Sequence, residues 1–269
     1  MNSNNHTLYL DLVKKSLTCM QYEGLDGASW KPAKRLHQWI LKRIVPKNIR
    51  LSQPTNLENR VEGKDWPLLA QTMTGMKRLD QLQTCIEAIL TEGVTGDLIE
   101  IGVWRGGSTI LMRAVLKSYD VKNRIVWVAD SFEGLPRPDA ETYRADEGDA
   151  HYLESRLAVS LETVKSNFDR YGLLDEQVKF LKGWFKDTLP SAPIDKLALI
   201  RLDGDLYEST RDGLSNLYPR LQRGGFVIID DYGYLNSCKQ AVHDYRDKHN
   251  IKEPIMQIDW TGAYWKKAI

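Results

Sequence analysis

A chain of 269 residues has room for one large α/β domain or two small ones, and with 42% hydrophobic and 27% charged residues it falls outside the collagen-like, disordered and disulfide-scaffold classes. Its 37 lysines and arginines nearly balance 36 acidic residues, leaving a net charge of +1. Without a basic excess, nucleic acid is not the expected partner.

The N-terminus, MNSNNHTLYLDLVKK, lacks the basic and then apolar regions of a secretory leader, and nowhere do about 18 apolar residues run together. A soluble cytoplasmic protein with no membrane partner is expected. Leu8, Leu10, Leu12, Val13 and Leu17 fit an amphipathic helix, and Leu36, Trp39, Ile40 and Ile44 repeat the pattern before Pro46, within a stretch (31–50) crowded with basic residues. After a loop signal at Asp65-Trp66-Pro67, a further helix carries Leu79, Leu82, Ile86 and Ile89 towards Gly93. The period then changes. Short β-rich runs at 97–103, 124–130, 177–183, 196–203 and 224–231 alternate with helical stretches at 108–120, 161–172, 209–221 and 238–250, which is the pattern of a parallel, doubly wound sheet. Two apolar runs around Thr261-Gly262 predict a terminal hairpin on the sheet edge. The acidic, Gly/Pro-punctuated segment 131–160 is too long for an ordinary connection and reads as an active-site or mobile loop. Cys19, Cys85 and Cys238, odd in number and without CxxC spacing, read as buried or incidental thiols.

Open parallel sheets bind ligands at the C-terminal ends of their strands, so the residues ending these runs carry the chemistry. The first run continues Glu100-Ile101-Gly102-Val103-Trp104-Arg105-Gly106-Gly107-Ser108-Thr109. Its glycines let backbone approach a ligand and open a helix whose cap is Ser108 or Thr109. The loop has neither GxGxxG nor GK[ST] spacing; it resembles the S-adenosylmethionine (SAM) methyltransferase superfamily, the plain alternative being a tight turn. Asp130 ends the second run, where a carboxylate holds a ribose diol or caps the following turn. Asp203 ends the fourth run, with Asp205 two residues on, and Asp230 and Asp231 end the fifth. Four carboxylates at neighbouring strand tips repel one another and call for a counter-charge; oxygen-only donors favour Mg²⁺, with Mn²⁺ or Ca²⁺ as alternatives, while helix capping would explain one or two of the four. Strand alternation is expected to point Asp203 and Asp205 to one side. A metal beside a methyl donor lowers the pKa of the hydroxyl to be methylated, and a base must then take its proton. Asp205 is the first choice; His151 is the second, with a solvated loop histidine as its alternative reading.

Across LYLDLVKKSLTCMQYEG, DWPLLAQTMTGMKRLDQL, EIGVWRGGST, ADSFEGLP, GWFKDTLP, IRLDGDLYEST and GGFVIIDDYG, the chain resembles the macrocin O-methyltransferase family from Leu8 to near its end. The resemblance implies metal- and SAM-dependent methylation of deoxysugar hydroxyls on macrolide and aminocoumarin antibiotics. It implies a Rossmann-like fold, with a mostly parallel seven-stranded sheet and helices on both faces. An N-terminal helical extension and lid would span residues 1–75 and the SAM domain 76–269. It further implies Mg²⁺ on Asp203, Asp230 and Asp231, and Asp205 or a loop histidine matching His151 approximately as base. SAM contacts would come from Thr72, Met73, Glu100, Gly102, Trp104, Arg105, Ser108, Asp130, Ser131 and Trp184. Residues 56–72 would close over the sugar, in a homo-oligomer, a dimer or higher. For Thr72, Met73 and Trp184, helix capping and core packing are the plain readings. Of the eight tryptophans, Trp66, Trp104 and Trp184 are expected beside the site, and Trp30, Trp39, Trp127, Trp260 and Trp265 outside it. The rival activities are a catechol-type O-methyltransferase, against which the adjacent Asp230-Asp231 pair argues, and a SAM-binding module without catalysis, for which the clustered carboxylates would be a costly arrangement.

Overall fold

The computed structural model describes residues 3–22, 26, 35–46 and 54–268; Trp30 and the basic residues of 31–34 and 47–50 lie outside the described residues. Four helices precede the sheet: α1 (Ser3–Leu17), α2 (Arg35–Ile44), α3 (Leu57–Glu62) and α4 (Gly75–Thr91). The core then runs β1 (Asp97–Ile101), α5 (Gly107–Ser118), β2 (Val126–Asp130), α6 (Leu161–Arg170), β3 (Val178–Lys182), α7 (Phe185–Thr188), β4 (Leu197–Leu202), α8 (Tyr207–Leu217), β5 (Leu221–Ile229) and α9 (Asn236–Lys248). Two short strands, β6 (Met256–Gln257) and β7 (Ala263–Lys266), close it as the expected hairpin.

The seven strands lie in the order β3-β2-β1-β4-β5-β7-β6, parallel except where β7 runs against β5 and β6. Alternation on the buried strands builds two cores. Leu98, Val128 and Ile228 face α1, α4, α5 and α6, while Ile99, Ile101, Ile200 and Ile229 face α8 and α9. Leu10, Val13 and Leu17 of α1 pack into the first core, each side chain worth about 1.5–3 kcal/mol on full burial. All three cysteines are buried and unpaired. Among the described residues, no helix is long and apolar enough to cross a membrane.

The chain steps outward from β1 to β2 and β3, then returns to lay β4 on the other side of β1. Strand order therefore reverses between β1 and β4, and a crevice opens there at the carboxyl ends of the strands. Gly102 stands in that crevice with φ of 77°, and a Cβ on it would lie 1.6 Å from the carbonyl oxygen of Asp203. Only glycine lets the two strand ends come this close.

Candidate active site

Strand termini bring the chemistry together. A cavity of about 590 Å³ is lined by Thr72, Met73, Glu100, Gly102, Trp104, Ser108, Asp130, Ser131, His151, Trp184, Asp203, Asp205, Asp230 and Asp231. Arg105 alone of the expected site residues is not in its wall. Its guanidinium donates to the carbonyls of Leu68 and Ala70 at 3.1 and 2.8 Å and lies over the Trp104 ring, so it fastens the glycine loop to the segment preceding α4. The cap of α5 also differs from expectation. Gly106, left-handed at φ 87°, takes that position, leaving Ser108 and Thr109 inside the first turn, where Thr109 donates back to the Gly106 carbonyl.

At the end of β2, Asp130 accepts the backbone N–H groups of Val103 and Phe132, both at 2.7 Å. It thereby ties the glycine loop to β2, and burial pushes its carboxyl above the usual range. The Ser131 hydroxyl adds a longer bond to the same carboxylate at 3.4 Å.

Across the β1/β4 boundary, register places Arg201 beside Glu100. Arg201 is 1% exposed and bonded to Glu100, to Asp203 at 2.7 Å, and to Asp230. From α4, Arg78 grips the other oxygen of Asp230 and also bonds Asp259 at 2.9 Å. The counter-charge that four carboxylates demand thus comes in part from two buried arginines, a source the sequence reading did not name. One Glu100 oxygen, Oε2, is buried without a partner, and burial pushes this carboxyl up to about 8 against the pull of Arg201.

Asp203, Asp230 and Asp231 each offer a carboxylate oxygen within 4.8 Å of the others. Burial and the Asp230 charge raise Asp203 to about 6, and burial with the neighbouring acids raises Asp231 well above its usual value. Burial and the Asp203 charge carry Asp205 up to about 7. Strand alternation does not aim Asp205: β4 ends at Leu202, and Asp205 is turned into the cavity by a left-handed backbone, φ 59°. Its N–H donates to Asp231 at 3.3 Å.

The long acidic segment joins the site through two aspartates missed in sequence. Buried Asp146 accepts the N–H groups of Tyr207 and Glu208, at 2.6 and 3.1 Å, capping α8 from outside the helix. Asp149 accepts the backbone N–H of His151 and bonds its Nδ1 at 2.6 Å. Burial disfavours the charged ring, but Asp149 and the Asp205 charge outweigh it and hold His151 above its ordinary value. Before α4, Arg60, 2% exposed, bonds Asp26 and Asp65 at 2.7 Å each and fixes α3 and the segment that carries Trp66. Arg156 lies 4.1 Å over Trp66 and accepts the Trp104 indole N–H on its carbonyl, so three walls meet at the rim. Trp260, placed outside the site on sequence grounds, lines the cavity with Trp66, Trp104 and Trp184. Its chain position gave no signal, because only the β6–β7 turn brings it there.

The sequence matches the family described as Macrocin-O-methyltransferase (TylF) over residues 6–267. It is 51% identical over 267 residues to the 8-demethyl-8-(2,3-dimethoxy-alpha-L-rhamnosyl)-tetracenomycin-C 4'-O-methyltransferase of Streptomyces olivaceus, covering 99% of this chain and 95% of that protein. Identity to the demethyldecarbamoylnovobiocin O-methyltransferase of Streptomyces niveus is 48% over 268 residues, with the same coverage. Among solved structures, the O-methyltransferase NovP superposes with a TM-score of 0.87 at 46% identity, covering 98% of this chain and all of that one.

Proposed function

The chain belongs to the macrocin-O-methyltransferase (TylF) family and is a SAM-dependent O-methyltransferase, and from that premise we propose that its acceptor is a sugar hydroxyl on a glycosylated natural product such as an antibiotic, methylated with the help of magnesium. One observation carries the reading: a single cavity joins a glycine loop and a strand-end aspartate to a convergent set of carboxylates. A sugar acceptor, in particular a deoxysugar, is supported by the Streptomyces olivaceus relative, named for a rhamnosylated tetracenomycin.

The residues present fit both groups. Glu100 Oε2, buried and unpartnered at the cavity, is the acceptor that the ammonium of a methionine moiety requires. Glu100, Gly102, Ser108, Asp130 and Ser131 would hold SAM, with Thr72, Met73, Trp104 and Trp184 around it. Asp203, Asp230 and Asp231 supply only oxygen, suiting a hard cation, and would hold magnesium, or manganese in its place. When bound, SAM brings a methyl on an activated sulfonium, and the cation brings charge that lowers the acceptor hydroxyl's pKa.

Asp205 would accept the hydroxyl proton on its carboxylate as the general base. Arg201 and Arg78 hold Asp230 from both oxygens, setting its orientation. Trp66 under the Arg156 guanidinium, and Trp104 bonded to the Arg156 carbonyl, tie that segment to the cavity wall. Holding acceptor oxygen and methyl in line supplies much of the rate.

Single-turnover methyl transfer to a panel of deoxysugar glycosides tests the reading. Asp205→Asn is expected to slow it by about 10²- to 10⁴-fold, the usual worth of a general base. Chelation should abolish turnover and added magnesium restore it. An intact rate in Asp205→Asn would remove Asp205 as base, leaving His151→Ala to be compared; full activity of a folded Asp203→Asn protein under chelator would remove the metal.

A further inference from the structure

Two aromatic residues line the cavity beyond the acid cluster and take no part in the chemistry above. Tyr234, three residues after Asp231, is 59% exposed. Trp260 is half-buried on the facing loop, and the two rings meet edge to face with centroids 5.5 Å apart.

This wall is fixed in place. The Trp260 indole N–H donates to the carbonyl of Glu62 at 2.7 Å, which engages the polar atom, and the Lys64 ammonium stands 5.9 Å from the ring centroid. Beside it, Asp259 accepts the N–H groups of Thr261 and Gly262 and is bonded by Arg78, the same arginine that grips Asp230. On the Tyr234 side, the Gly233 N–H donates to Thr261 at 2.7 Å. A Cβ at Gly233 would stand 2.5 Å from the Trp260 carbonyl oxygen, so the two loops pack without space between them. Thr261 completes the lattice by donating its hydroxyl to the Asp230 carbonyl at 2.9 Å. The aromatic pair is thereby referenced to Asp230 and Asp231, the preorganisation a binding subsite needs.

Ring faces at a set position recognise flat, apolar groups. An acceptor whose hydroxyl reaches the acid cluster carries its sugar ring behind that hydroxyl, and the anomeric substituent next. The exposure of Tyr234 marks that outward direction. We propose that Tyr234 and Trp260 form an aglycone subsite that takes the flat apolar part of a glycoside acceptor; the inference rests on the sugar-hydroxyl reading above.

Methyl transfer to 2-naphthyl glycosides, compared with methyl glycosides of the same deoxysugars, separates this subsite from the sugar site. In the wild type, kcat/KM should favour the naphthyl glycoside. Tyr234→Ala and Trp260→Ala should each lower that preference by about two- to tenfold, the worth of one aromatic contact. Tyr234 is a surface position, so its variant reports even where Trp260→Ala fails to fold, and Trp260→Phe, which keeps a ring, should restore part of the preference. A wild-type preference near one, or one unchanged in Tyr234→Ala, overturns the subsite and leaves the sugar reading standing. Transfer to no glycoside at all overturns the sugar reading and the subsite with it.

Discussion

Among individual residues, the acid cluster is governed by two arginines to which the sequence reading gave no role. Arg201 and Arg78 are buried with the carboxylates they serve, and removing one partner of such a set leaves uncompensated charge. His151 shows the same dependence on a neighbour. Its imidazolium is favoured by Asp149, so its folded pKa stands above the ordinary 6.5. The stabilisation is therefore present in full below pH 6.5 and is lost as pH rises through the raised folded value. Asp149→Asn should lower the His151 titration midpoint, read from ring-proton NMR shifts, and flatten the thermal stability profile above pH 6.5. A midpoint that stays put would mean that Asp149 does not control the ring.

Among the elements, the segment 131–160 matters most. Composition marks it as a long functional or mobile loop, but Asp146 turns it into part of the scaffold by capping α8 immediately after Asp205. Asp146→Ala should cost about 1 kcal/mol, the typical worth of an N-cap, read from the denaturant midpoint. It should also speed limited proteolysis within 139–150. Unchanged cleavage there would show that other contacts hold the loop. The α5 terminus makes the complementary point: Ser108 and Thr109 have the residue types of a cap, yet the left-handed glycine before them takes that position because the loop must reverse direction there.

For the molecule as a whole, one cavity at the reversal of strand order carries both the cofactor and the acceptor reading. A ligand bound only by the folded state adds stability by mass action. S-adenosylhomocysteine at 100 times its Kd should add about 2.7 kcal/mol and raise the melting temperature by about 5–10 °C. A melting temperature that does not move would show that this cavity does not take the cofactor.

Much of this was legible in sequence, because hydrophobic period and strand-end composition are local properties. The runs at 97–103, 124–130, 196–203 and 224–231 became β1, β2, β4 and β5, and parallel pairing places all four carboxyl ends at one end of the sheet. Tertiary structure alone decided what surrounds them. Arg78 meets Asp259 across 181 positions and Trp260 meets Glu62 across 198, separations over which no periodicity carries information. Such pairs follow from register, loop path and the direction of a single left-handed residue, as at Asp205, which packing sets and local propensity does not.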